Sequence, residues 1–320
     1  MIQRRVFIAA AAGLSLGRTV LAQAYPARPV RLIVPYPVGT ANEVFARVVA
    51  QKLGDAWQQP VVVEALAGAG GVVGTQALAK AAADGYTLGW VSSPHAINAA
   101  LYGNLPYDPI KDFRPIASLA STPLVFVTGS NFAGRTSADL IALAKASPGR
   151  INFASNGNGS SSHLGTELLA NAAGVRFTHV PYKNTGQMTA DLISGQVDFA
   201  ALGVITSLSQ VQGGKLRALA VTGSRRASLL PGVPTVAETV PGYETKAWMG
   251  LLAPAGVPDA VVARVQTDAA AVMRDPAIAE AMTRQGLDPD PLDAAQFARR
   301  IENDIRMWKK IVAEAGVKVE

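Results

Sequence analysis

Between Ser155 and His163 the sequence reads SNGNGSSSH, four serines, two asparagines, two glycines and a histidine in nine residues. It lies between the strand-like run RINFAS and a periodic apolar stretch. Three chemistries use such residues: a serine nucleophile, a phosphate loop, or a cradle for another small molecule. A nucleophilic serine on a strand-to-helix turn needs G-x-S-x-G with a distant acid and histidine. Here Ser160, Ser161 and Ser162 follow Gly159 directly and the next glycine is Gly165. His163 also shares a helical turn with the serines, so the nucleophile pattern fails. A phosphate loop needs a lysine beside its last glycine, and no lysine occurs between Lys145 and Lys183.

Other motifs are weaker. GAGGVVG, Gly68 to Gly74, spaces its glycines one residue too widely for a dinucleotide fingerprint, and no clear ribose-binding acid follows. It reads as a glycine-eased strand-to-helix turn. His95, His163 and His179 stand far apart without cysteine or HExxH partners, so no metal site is expected. His179 falls in a strand and reads as structural.

What survives is a repeated arrangement. PYPVGTANE, SSPHAIN and SNGNGSSSH each follow a strand and open a helix. In parallel α/β sheets ligands sit beyond the carboxyl ends of the strands, where helix N-termini present unpaired N–H groups and partial positive charge. Small residues let an anion reach that backbone, and Ser or Asn adds neutral donors. These loops therefore suit a carboxylate held without a lysine or arginine clamp. Simple capping by Ser160 and Asn42 is the alternative, but a cap needs one such residue and 155–163 supplies seven.

The elements that must position these loops alternate. PVRLIVPYP reads as a buried strand, TANEVFARVVAQKL as a helix, PVVVEAL as a strand, GVVGTQALAKAAADG as a helix and YTLGWVSS as a strand. The pattern restarts at PLVFVTG and runs through helices at 136–145, 160–173 and 187–194 to the strand KLRALAVTG. Beyond Pro231 the chain is rich in Pro and Gly, then helical from Pro258 to the end. Phe297, Ile301, Ile305, Trp308 and Val312 share one face of the last helix. The expected architecture is α/β with two lobes, each a mainly parallel sheet flanked by helices. Residues 25–123 with 223–320 form the first lobe, and 124–222 are inserted as the second.

The first 24 residues have Arg4 and Arg5, an apolar core, and small residues at Ala22 and Ala24, which is a signal-peptide pattern. The arginine pair fits either the general or the twin-arginine export route. Cleavage after Ala24 would remove Arg4, Arg5 and Arg18 with no acid, lowering the net charge from +6 to +3. The remaining basic residues are scattered, which argues against nucleic acid. Zero cysteines exclude disulfides and thiolate chemistry. The expected product is a mildly basic soluble protein of the periplasm.

Several long blocks, including YPARPVRLIVPYPVGTANEVFARVVAQKLG, AGAGGVVGTQALAKAAADGYTL, INFASNGNGSSSHLGTELL, VPYKNTGQMTADLISGQVDF and WMGLLAPAGVPDAVVARV, resemble in order the Bug-type substrate-binding proteins of tripartite tricarboxylate transporters. The resemblance spans essentially the whole mature chain. It implies a type II periplasmic-binding-protein (Venus flytrap) fold with no catalysis, cofactor or metal. It also implies a monomer that binds a small di- or tricarboxylate, acidic amino acid or aromatic acid and delivers it to a membrane permease. Carried over residue by residue, the first loop is Pro35–Glu43, with Tyr36, Gly39, Thr40 and Asn42 as ligand-binding candidates. The second is Ser155–His163, with Ser155, Asn156, Asn158, Gly159, Ser160, Ser161 and His163. Ser93, His95, Tyr182 and Gly203 complete the set.

The chain departs from the family pattern P-P-G-G-x-x-D, reading Pro37-Val38-Gly39-Thr40-Ala41-Asn42-Glu43. Asn184 also follows Lys183 where glycine is common, and Gln187-Met188 replaces a small residue and proline. These changes bear on which acid is bound. Two alternatives share the sequence features: a ligand-binding accessory of a membrane sensor kinase, and an exported hydrolase using Ser160 or Ser161.

Overall fold

The computed structural model describes residues 25–317, so the expected signal peptide lies outside the described residues. The described residues begin with β1 (Val30–Val34), α1 (Ala41–Trp57), β2 (Val61–Ala65), α2 (Val72–Ala79), β3 (Thr87–Ser92), α3 (Pro94–Leu101) and β4 (Phe113–Thr122). There follow β5 (Leu124–Gly129), α4 (Ser137–Ala146), β6 (Asn152–Ser155), α5 (Ser161–Ala173), β7 (Thr178–Pro181), α6 (Thr185–Ser194), β8 (Phe199–Gly203), α7 (Val204–Gln212) and β9 (Leu216–Val221). The last part holds β10 (Ala247–Pro254), α8 (Asp259–Val272), α9 (Pro276–Gln285), β11 (Asp288–Leu292) and α10 (Ala294–Ala315).

Two sheets result, one in the order β11-β4-β10-β3-β1-β2 and one in the order β7-β6-β8-β5-β9. Helices flank both, as expected for a two-lobed α/β protein. The parallel pairing is confined to β2-β1-β3 and β7-β6-β8, and the remaining pairs are antiparallel. The physical reason lies in the crossings. β4 leaves the first sheet through Pro123 and β5 enters the second with Leu124 opposite Gly203, the last residue of β8. A strand that enters where parallel strands end must run against them. β10 returns in the same way, with Met249 opposite Ser92 at the end of β3.

β4, β10 and β11 were not legible as strands, yet β10 is central to the first sheet. Its buried run AWMGLLAP has neither alternation nor helical period because both faces are covered. The return to the first sheet also comes later than residue 222. Thr235 bridges Val221, while Ala227, Leu230, Val236, Val240 and Tyr243 pack into the second sheet's cores. The Thr245 N–H still donates to Thr222 O at 2.9 Å.

Each sheet separates two apolar layers. Phe45, Val49, Leu53, Trp90 and Val265 fill one side of the first sheet, between β-strands and α1 with α8. Ile33, Ile97, Trp248, Phe297, Ile301 and Trp308 fill the other, against α3 and α10. Leu164 of α5, from the second sheet's side, joins that cluster and ties the lobes together. Among the described residues no helix is long and apolar enough to cross a membrane.

Candidate ligand-binding cleft

A cleft of about 680 Å³ opens where the strands β1, β3 and β6 end. Its first wall combines Pro35, Tyr36 and Pro37 after β1 with Pro94, Ile97 and Leu101 of α3. Its opposite wall is Asn158, Gly159, Ser160 and Ser161, the turn that starts α5. Among the described residues no carboxylate, lysine, arginine or histidine lines it.

The second wall folds as it does because its polar residues first satisfy one another. Ser160 caps α5 by accepting from His163 N at 3.2 Å, and its hydroxyl donates to Gly157 O at 2.7 Å. Gly159 N donates to His163 Nδ1 at 3.1 Å, and Asn156 N to Ser162 Oγ at 3.0 Å. His163 thereby holds the loop from beneath rather than facing the cleft. Its ring stacks on His179 with centroids 3.8 Å apart, and burial, then the neighbouring His179, lowers its pKa to about 4. By ordinary helix geometry the N–H groups of Ser161 and Ser162 have no intrahelical partner, and Ser161 lies on the cleft wall.

Of the residues expected at the site, Tyr36, Asn158, Gly159, Ser160 and Ser161 line the cleft. The others are not among its lining residues. Gly39 N donates to Glu43 Oε2 at 3.1 Å, and Thr40 caps α1 while its hydroxyl donates to Pro37 O at 2.8 Å. Glu43 is buried and also pairs with Arg47, and these contacts, the Gly39 N–H first, lower its pKa. Asn42 Oδ1 accepts from Trp90 Nε1 at 3.2 Å. Ser93 is buried at the start of α3, its N–H donating to Trp248 O.

His95 belongs to the core of the first lobe. Its Nε2 donates to Pro109 O at 2.8 Å and its ring stacks on Tyr107. Burial lowers its pKa to about 4, so it is neutral at pH 7. Ser155 is fully buried, its hydroxyl 2.6 Å from His179 Nε2. Asn156 is exposed and accepts from the Thr185 hydroxyl. Tyr182 turns its hydroxyl to Asp191, and Gly203 ends β8 against Leu124. Helix periodicity and cap chemistry do not say which way a loop faces, so these residues could not be separated from the lining by sequence.

One part of the wall comes from a segment not expected at the site. The turn Gly68–Gly71 in GAGGVVG lines the cleft together with Asn98 and Tyr102 of the α3 segment. Backbone φ is positive at Gly68, Ala69, Gly70 and Gly71, which explains the glycines. A Cβ on Gly74 would lie 2.6 Å from Leu66 O and 2.8 Å from Pro35 Cα, so glycine lets α2 pack against the end of β1. The cluster of glycines was the available signal.

Residues 45–317 match the family described as the tripartite tricarboxylate transporter family receptor. The chain belongs to that family. Protein BugT of Bordetella pertussis is 38% identical over 318 residues, covering 98% of this chain and 97% of the relative. The solved periplasmic binding protein BugD is 30% identical, with a TM-score of 0.71, 92% of this chain covered and 100% of BugD. R. palustris Rpa4515, solved with adipate, is 32% identical with a TM-score of 0.74, covering 92% of this chain and 99% of that one. Here Ser160 bonds to Gly157, Ser162 and the His163 backbone, and the serine held by an imidazole, Ser155, is sealed in the core.

Proposed function

We propose that the protein is a periplasmic receptor that captures a small organic carboxylate between its lobes and hands it to the membrane permease of a tripartite transporter. The lobes are 25–123 with the strands after Thr245, and 124–245, hinged at Pro123 and at Thr245–Ala247. The observation that carries the reading is the α5 N-terminus on a cleft wall without ionised side chains. There the N–H groups of Ser161 and Ser162, the Ser161 hydroxyl and the helix dipole favour a carboxylate. The apolar face of Tyr36, Pro94, Ile97 and Leu101 accepts its carbon skeleton. The adipate carried by Rpa4515 agrees with such a ligand.

Binding would draw the lobes together, the closed form being what a permease recognises. The test is a thermal-shift screen of the mature chain against dicarboxylates, tricarboxylates, acidic amino acids, aromatic acids and neutral sugars. Carboxylates should raise the melting temperature by mass action. A shift with a sugar and none with any acid would overturn the assignment.

A further inference from the structure

Asn98 differs from the other polar groups of the cleft. It lies on α3, is only 6% exposed, and forms part of the cleft wall. Its Nδ2 donates to Gly70 O at 3.0 Å. That contact fixes the amide's orientation, because a carbonyl can only accept, so the nitrogen must face Gly70. Oδ1 is left as an acceptor, and no group among the described residues donates to it. The hydroxyls of Ser161 and Tyr102 can rotate to give or to take a proton. Asn98 Oδ1 cannot.

From this we infer that Asn98 reads a hydrogen-bond donor on the ligand, so the preferred acid carries a hydroxyl or ammonium group in addition to its carboxylate. The inference rests on the carboxylate reading of the same cleft. With the carboxylate on the α5 wall, the far side of the ligand meets a fixed acceptor. A methylene placed there leaves Oδ1 buried and unpaired, and a second carboxylate meets it oxygen to oxygen. A site built around a buried polar group discriminates against analogues that lack its partner. Gly70 is the support of the device: its carbonyl sets Asn98, and its φ of 63° is one that a side chain would strain.

The test is calorimetric titration of the mature chain with matched acids placing the donor near to and far from the carboxylate. The pairs are malate with succinate, aspartate with succinate, mandelate with phenylacetate, and 4-hydroxyphenylacetate with phenylacetate. In at least one pair the donor-bearing acid should bind about tenfold tighter. In Asn98→Ala, checked for folding by circular dichroism, that preference should fall to about twofold or less. Equal or tighter binding of every unsubstituted acid by the natural chain would overturn the inference while leaving the carboxylate reading intact. So would a preference that survives in folded Asn98→Ala. Absence of binding by every acid in the panel would overturn both.

Discussion

Gly159 of the second lobe lies directly beneath Leu101 of the first, so close that a Cβ on Gly159 would stand 2.6 Å from Leu101 Cδ1. Gly159 also holds φ at 73°, where a side chain costs about 1–2 kcal/mol. Gly159→Ala should therefore lose about that much stability in denaturant unfolding and bind its carboxylate more weakly, because the added methyl props the lobes apart. Adding Leu101→Ala should recover part of the affinity, short of the parent because Leu101 also lines the cleft, and leave the backbone strain in place. If the double variant binds no better than Gly159→Ala, the contact does not govern closure.

Ser160 and Ser161 are adjacent but do different work. Ser160 caps α5 and fastens Gly157, so Ser160→Ala should cost about 1 kcal/mol of stability. The Ser161 hydroxyl bonds to no protein group among the described residues, and the alanine variant should unfold within about 0.5 kcal/mol of the parent. Its loss should appear instead as weaker binding in titrations with an acid from the screen. Equal stability losses for the two would contradict this division.

The buried histidines give stability a pH dependence. His95 has a folded pKa of about 4 against an ordinary value of 6.5, so the unfolded chain takes up its proton first as pH falls. The stability tied to neutral His95 is complete above about pH 6.5 and declines toward pH 4, by up to about 3 kcal/mol. His163 and His179 are shifted in the same direction. Melting temperatures measured from pH 7.5 to 4.5 should fall, and fall less steeply in His95→Gln. A flat profile would mean that these rings are solvated.

Glu43 behaves oppositely at a lower pH. Its carboxylate accepts from Gly39 N and pairs with Arg47, so its pKa is depressed and its contribution is lost as pH falls below the ordinary carboxylate range. Glu43→Ala removes the loop amide's carboxylate partner and should cost about 0.5–1.5 kcal/mol. Proteolysis of the variant should cut first within 37–41. An unchanged cleavage pattern would show that Glu43 does not hold the loop.

Local chemistry was legible wherever it repeats within a few residues. The strands flanking α1, the Thr136–Asp139 capping box and the serine cap of α5 follow from period and cap residues alone. β4 and β10 were not legible, since a strand covered on both faces has no polar side to mark its period. Their antiparallel sense was equally hidden, because it depends on where the chain crosses between sheets.

The sequence by itself determined that helices begin in neutral, glycine-eased loops at strand ends, and that the chain resembles a carboxylate-receptor family. Those are properties of neighbouring residues and of motif order. Only the tertiary structure decided which loops meet. It joined Ser161 to Leu101 and Asn98 across one cleft, sent His95 and Ser155 into cores, and tied the Asn98 side-chain nitrogen to Gly70 O. Such assignments depend on contacts between residues far apart in the chain, which no local pattern encodes.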